Sequence, residues 1–313
     1  MGQRAIAITT SNFDMTNPLL EELRSEGWEI VRSDYGRKLA EQEVSDLLSQ
    51  SGIVGMVAGV ELLTEAVFAA NPGLRVISRC GTGYDSVDQV AAENHGIICV
   101  NTPNAPAAAV AELTLGLMLS VLRRIAEADR NMRSGVWQGL MGSLLARRTV
   151  GIVGLGRVGR RVADLVSAFS ASVRYYDPEI ATPEYDRVSS VEELASQVDV
   201  LTVHVPLDDT TRDLVSAAVI SALPEGSIIV NAARGGVVDE AAVARALESG
   251  SLGGAAFDVF DQEPYDGPLR AFDNVVLTAH MGSYAREARE LMESEALRNL
   301  LNVLRELDNR GTA

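Results

Sequence analysis

Short apolar runs of β type alternate with helical segments along the whole chain. Before residue 101 the predicted strands are Arg4–Thr10, Trp28–Asp34, Ile53–Gly59, Leu74–Arg79 and Ile97–Val100. After residue 148 they are Thr149–Gly154, Ser172–Asp177, Val200–Val205, Ser227–Ala232, Gly254–Val259 and Val275–Thr278. This alternation predicts parallel sheets joined by crossover helices, an α/β class. Asn101-Thr102-Pro103-Asn104 reads as a crossover between two α/β domains, and a long helical stretch, Ala105–Arg133, follows it. The last helix, about Ala285–Leu307, is expected to return to the first domain. The expected organisation is a discontinuous domain of residues 1–101 plus 285–313, and a second domain of residues 102–284. A cleft between two such domains suits a cofactor on one side and a small substrate on the other.

Residues 149–177 carry the most specific local pattern. A strand runs into Gly154-x-Gly156-x-x-Gly159, and a helix follows with Val158, Val162, Leu165, Val166 and Phe169 on one face. A second strand ends at Asp177, 18 residues beyond Gly159. Each part suits a dinucleotide. The first glycine permits a tight turn, the second lets the backbone approach a pyrophosphate, and the third lets helix and strand pack closely. The helix N-terminus at Arg157 and Val158 offers free N–H groups and a positive dipole end to phosphates. Asp177 can accept bonds from the ribose hydroxyls. A carboxylate there repels a 2′-phosphate, and Pro178, Glu179 and Ile180 supply no base. Arg174, three residues earlier on a strand, should point to the other face. The expected cofactor is NAD(H), and residues 102–284 become its Rossmann domain.

Bulk composition narrows the class. The chain has 313 residues, of which 47% are hydrophobic, enough for one or two domains with real cores. Cys80 and Cys99 form neither a metal spacing nor a disulfide framework, so a reducing, cytoplasmic setting and no metal are expected. The N-terminus lacks the long apolar run of a signal peptide. The apolar stretch Ala105–Leu122 is interrupted by Glu112 and Thr114 and reads as a buried helix rather than a membrane span. The net charge of −16 argues against nucleic acid or an anionic membrane as partner. No regulatory module is expected beyond the final DNRGTA.

Three later strands end in titratable residues: Asn231 to Glu240 around Arg234, Asp258 to Pro264 around Glu263, and Leu277 to Ser283 around His280. Hydride transfer to a 2-oxoacid needs a carboxylate anchor, a proton donor and a group that keeps the donor charged. A guanidinium forms forked bonds to carboxylate and carbonyl oxygens, which suits Arg234. Histidine titrates near working pH, which suits His280. A neighbouring carboxylate favours imidazolium, which suits Glu263. Each alone has a plainer reading, an ion-pair arginine or a structural histidine; their order after a Rossmann unit favours catalysis. His95 before Gly96 reads as a helix cap. His204, Pro206 and Ala232, at the ends of two strands, are expected to wall the cofactor.

On these residues the chain resembles the D-isomer-specific 2-hydroxyacid dehydrogenase family, near its phosphoglycerate dehydrogenase branch. The matching motifs are RCGTGYDSVD (79–88), NTPN (101–104), GIVGLGRVGRRVA (151–163), HVPL (204–207), NAARGGVVDE (231–240), DVFDQEP (258–264) and HMGS (280–283). The resemblance implies two flavodoxin-like or Rossmann-like domains around a cleft. It implies catalytic Arg234, Glu263 and His280, and backbone N–H groups of Gly81, Thr82 and Gly83 on the substrate carboxylate. It also implies Asp258 on the nicotinamide carboxamide, and a homodimer paired through the cofactor domain and the helix after the crossover.

The resemblance also separates subclasses. Formate dehydrogenases carry Gln where Glu263 stands, so formate is not expected. Similar phosphoglycerate enzymes carry an Arg after the third strand; that position falls on Ala58, with Glu61 close by. Gly135-Val-Trp137 runs into Gln138-Gly139-Leu140-Met141 without basic residues, and Arg79 alone is thin support for a phosphate. Leu140, Met141 and Leu144 are expected to close over a less charged group. The expected function is an NAD-dependent D-2-hydroxyacid dehydrogenase acting on a small 2-hydroxy or 2-oxo acid. The alternatives are a 3-phosphoglycerate dehydrogenase, a phosphite- or phosphonate-type acid dehydrogenase, and an NAD-sensing co-repressor-like binding protein.

Overall fold

A computed structural model describes residues 4–33, 35–50 and 52–311, the last two as backbone. Asp34, the end of the predicted second strand, lies outside the described residues, as do residues 1–3, 312 and 313 of the expected first domain. The chain divides into two compact units, Met1–Pro106 with Ser283–Ala313, and Ala107–Gly282.

The first unit contains β1 (Arg4–Ile8), α1 (Pro18–Ser25), β2 (Trp28–Arg32), α2 (Glu41–Leu48), β3 (Ile53–Ala58), α3 (Glu65–Ala70), β4 (Val76–Arg79), α4 (Gln89–Asn94) and β5 (Ile98–Asn101). The strands form one parallel sheet in the order β2-β1-β3-β4-β5. Ala5, Ile6, Ala7 and Ile8 are all fully buried, as a strand covered on both faces must be. Leu39, Val44, Val67 and Phe68 cover one face. Leu20 and Leu23 cover the other, together with the C-terminal helix. That helix, Arg286–Gly311, lays Met292, Ala296, Leu297, Leu300 and Leu304 on the sheet at helical spacing. It comes so near that a Cβ at Gly55 would sit 2.8 Å from Leu300 Cδ1.

The second unit contains α5 (Ala107–Leu122), α6 (Ile125–Arg133), β6 (Thr149–Val153), α7 (Arg157–Ala168), β7 (Ser172–Tyr176), β8 (Asp186–Arg187), α8 (Val191–Ala195), β9 (Val200–Val203), α9 (Ala217–Ala222), β10 (Ser227–Asn231), α10 (Glu240–Ser249), β11 (Leu252–Phe257) and β12 (Val275–Leu277). Its parallel sheet runs β12-β11-β10-β9-β6-β7-β8. Strand order reverses at β6, which pairs with β7 on one side and β9 on the other. Open α/β sheets bind ligands beyond the carboxyl ends of their strands at this switch point.

Several expectations need correction. The expected helical stretch Ala105–Arg133 is two helices, α5 and α6, parted where Arg124 takes a left-handed conformation at φ 52°. The returning chain seals the break: the Ser143 amide donates to Leu122 O (2.8 Å). A Cβ at Gly142 would stand 2.5 Å from that carbonyl oxygen. The short strand β8 went unpredicted, since two charged residues carry no periodicity. Phe169, expected on the apolar face, is the C-cap of α7 and is exposed, while Ala163 joins Val162 and Val166 in the core. Among the described residues, no helix is long and apolar enough to cross a membrane.

Candidate active site

The glycine turn lies at the switch point of the second sheet. Gly154 ends β6 with φ 90°, a conformation that a side chain would strain. A Cβ on Gly159 would lie 2.0 Å from Gly154 O, so α7 closes directly onto the turn. Gly156 differs: nothing stands within 4 Å of the place its Cβ would fill. It is the N-cap of α7 and provides no side-chain cap. Open space therefore faces the uncapped amides of the first helical turn, Arg157 and Val158 included, and that cradle fits a pyrophosphate.

Asp177 follows β7 and is buried. Its Oδ2 accepts the Leu155 amide (2.8 Å), and its Oδ1 accepts the amides of Glu179 (2.9 Å) and Ile180 (2.8 Å). The side chain thus fixes the glycine turn against the end of β7. The guanidinium of Arg187, on β8, donates to Asp177 O (2.7 and 3.1 Å) and Pro178 O (3.0 Å). Sequence reading missed this arginine, which no short-range pattern connects to Asp177.

His204 lies just past β9. Its Nε2 is 2.9 Å from Thr202 Oγ1, and burial pushes its pKa down to about 3, so the ring is neutral. Its Nδ1 is buried with no hydrogen-bond partner among the described residues, and such an atom fits a wall that a ligand completes. Ala232 is buried at the end of β10, and Pro206 is exposed, with its carbonyl accepting Thr211 Oγ1 (2.7 Å).

Past β10, Asn231 shapes the next loop. Its side chain donates to Arg234 O (2.9 Å) and accepts the Ala233 amide (3.1 Å). Arg234 Nη1 donates to Ala233 O (2.7 Å), and the side chain is partly buried.

His280 Nδ1 lies 2.9 Å from Glu263 Oε2, with both side chains partly exposed. Burial raises the Glu263 carboxyl, but the His280 hydrogen bond and charge, the Phe260 amide and the Arg234 charge outweigh it. Glu263 therefore titrates below the ordinary carboxylate range. The His280 backbone is left-handed at φ 49°, a strained state for a residue with a side chain.

Asp258 holds that strained turn. Its carbonyl accepts the His280 amide (2.7 Å). Its carboxylate accepts Thr278 Oγ1 (2.6 Å) and the amides of Met281 (2.9 Å) and Gly282 (2.8 Å). Asp258 is 1% exposed, so its observed work is to scaffold His280.

In the first unit, Gly81 takes φ 146°, and its amide donates to Thr102 Oγ1 (2.9 Å) and Arg79 O (3.0 Å). These bonds tie the Gly81 amide within the first unit. Thr82 O accepts Asn101 Nδ2 (2.6 Å), and Thr82 is exposed. Arg234, Glu263 and His280 all belong to the second unit; Gly81, Thr82 and Gly83 belong to the first.

Known proteins share this fold. The family profile described as D-isomer specific 2-hydroxyacid dehydrogenase, NAD binding domain, matches residues 115–282. A D-3-phosphoglycerate dehydrogenase of Methanocaldococcus jannaschii is 35% identical over 299 residues, covering 93% of this chain and 57% of the relative. A glyoxylate reductase of Thermofilum pendens is 39% identical over 262 residues, covering 78% of this chain and 77% of the relative. The crystal structure of a Thermus thermophilus protein superposes with TM-score 0.89 at 35% identity, covering 96% of this chain and 97% of that one. The chain spans about half the length of the phosphoglycerate dehydrogenases it matches, 57% and 52% in two of them.

Proposed function

We propose that this chain, which belongs to the D-isomer-specific 2-hydroxyacid dehydrogenase family, is an NAD-dependent reductase of small 2-oxoacids, reversible to the D-2-hydroxyacids. The observation that carries the reading is the Glu263–His280 contact on a strained, clamped turn, within the unit that holds the glycine turn.

When bound, the nicotinamide dinucleotide supplies or accepts the hydride at substrate C2. The amides of Arg157 and Val158 and the open face of Gly156 hold its pyrophosphate; Asp177 accepts its ribose hydroxyls. The acidic character at Asp177 favours NAD(H) over the 2′-phosphorylated form. Arg234 anchors the substrate carboxylate and polarises the carbonyl. Because Nδ1 of His280 faces Glu263, Nε2 is the nitrogen that gives its proton to the carbonyl oxygen. Glu263 stays ionised at neutral pH and orients the ring. The Thr82 and Gly83 amides assist with the carboxylate.

The substrate is a small acid with an uncharged remainder. In the first unit, strand order reverses between β1 and β3. At their carboxyl ends Glu61, 1% exposed, accepts the Thr9 hydroxyl and the Gly59 amide (2.9 Å). An acceptor-rich strand end is a poor seat for phosphate, and Ala58 offers no cation there.

The assembly is a homodimer, and the setting cytoplasmic. The arm from α6 onward supports pairing: Trp137 is 88% and Met141 89% exposed, with Ile125, Met132 and Leu144 also exposed. Such a patch marks an interaction surface.

NADH oxidation by the purified protein, followed at 340 nm against glyoxylate, hydroxypyruvate, pyruvate, branched and aromatic oxoacids and 3-phosphohydroxypyruvate, tests the reading. Turnover of an unphosphorylated oxoacid supports it. A strong preference for 3-phosphohydroxypyruvate overturns the substrate class, and silence throughout overturns the activity.

A further inference from the structure

Two loops of the second unit carry the proposed chemistry: residues 231–239, with Arg234, and residues 258–264, with Glu263. Beyond the backbone bond from the Asp258 amide to Asn231 O at 2.9 Å, two contacts between them bear on Glu263. The first is steric. A Cβ on Gly235 would lie 2.0 Å from Phe260 O and 2.6 Å from the Asp261 nitrogen, so the two backbones touch. The second is polar. Glu240 opens α10, directly after the Arg234 loop, and its Oε1 accepts the Asp261 amide at 2.8 Å.

That amide adjoins the one that matters most. Phe260 N donates to Glu263 Oε1 at 3.1 Å, while Glu263 Oε2 faces His280. The loop's aromatic floor passes the same way: Phe260 stacks on Tyr265 with ring centroids 4.1 Å apart. The Tyr265 hydroxyl lies beside Glu240 and accepts the Leu269 amide at 3.1 Å. Glu240 is partly buried, and burial raises its carboxyl above the ordinary range, with the Asp261 and Glu263 charges adding to the rise.

We propose that Glu240 is a positioning residue that ties the Glu263 loop to the Arg234 loop and so sets the anchor and the proton-relay pair in one register. The proposal rests on the reading of Arg234, Glu263 and His280 given above. Glu240 touches neither substrate nor cofactor; it acts through the Asp261 amide. The work is done by the reach of its carbonyl-type oxygen rather than by its charge.

Two conservative variants separate reach from charge. Glu240→Gln keeps the reach and an acceptor oxygen but loses the charge. Glu240→Asp keeps the charge but is one methylene short. Two readouts are taken on each. Hydrogen exchange of segment 258–264, followed by mass spectrometry, reads the tie without any turnover. Steady-state kinetics on the best oxoacid reads its consequence. Glu240→Asp should exchange faster across 258–264 and lose about 10- to 100-fold in kcat, the scale of a misplaced catalytic group, with KM for NADH within about twofold. Glu240→Gln should recover most of both. Unchanged exchange in Glu240→Asp overturns the proposal, and so does faster exchange without loss of kcat. Damage in Glu240→Gln with Glu240→Asp intact also overturns it, because charge would then be the agent. If the wild type reduces no oxoacid, the functional reading fails, and exchange alone decides whether Glu240 holds the loop.

Discussion

His280 and Glu263 meet through one pair of atoms, Nδ1 and Oε2, at 2.9 Å. The pairing fixes the ring by its Nδ1 side, and the Asp258 clamp fixes the backbone that bears it. Replacing the ring should therefore remove chemistry and leave binding. His280→Ala is expected to lower kcat by about 10²- to 10⁴-fold, the usual range for a lost general acid. Arg234→Ala should cripple turnover more than NADH binding. Steady-state kinetics beside NADH fluorescence titration checks both; equal losses in turnover and NADH affinity would remove the anchor role from Arg234.

Asp177 holds the glycine turn and is the residue proposed to meet the cofactor ribose. Asp177→Ala strands the amides of Leu155, Glu179 and Ile180. A lost bond to a charged acceptor costs about 1.5–3 kcal/mol, so the unfolding midpoint in urea should fall measurably. NADH affinity should drop, NADPH affinity should drop less, and the preference between them should narrow. Equal weakening of the two nucleotides would show that Asp177 does not discriminate.

His204 predicts a specific pH dependence of stability. Burial holds its folded pKa at about 3, far below the ordinary 6.5. Between those two values the unfolded chain binds a proton that the folded chain refuses. Stability from this group is then fully present above about pH 6.5 and is lost as pH falls toward 3, by about 1.4 kcal/mol per pH unit at most. His204→Asn should flatten the slope of unfolding free energy in that window. Parallel slopes for variant and wild type would place the ring in water.

Trp137 and Met141 are the most exposed apolar side chains of the arm. Sedimentation of the wild type should give twice the 33.4 kDa chain mass. Trp137→Asp with Met141→Asp should shift the population toward monomer. A monomeric wild type would leave the apolar arm without the partner proposed for it.

Much of this was legible in the chain itself. The glycine turn, Asp177 and the strand-end positions of Arg234, Glu263 and His280 each depend on contacts within one strand–turn–helix unit or directly after an apolar run. What stayed hidden depends on residues far apart in sequence. The helix break at Arg124 is set by the return of Gly142, and no helix-breaking residue stands at the break. Arg187 reaches Asp177 only because β8 pairs with β7. The Asp258 clamp on the His280 turn stayed hidden because it joins two strand ends about twenty residues apart. The tie of the Gly81 amide to Thr102 also crosses from one strand end to the next. Glu240 looked like an ordinary first-turn helix acid; its bond to Asp261 joins two loops whose meeting the sequence does not announce.

The central claim is hydride delivery to C2 of an oxoacid with D stereochemistry. The most direct measurement uses NADH deuterated at each face of C4 in turn with the best oxoacid of the panel, and reads the product by NMR and chiral chromatography. The expected product is a D-2-hydroxyacid carrying deuterium at C2 from one of the two labelled cofactors. An L product, or a product without deuterium at C2 from either, would contradict the claim.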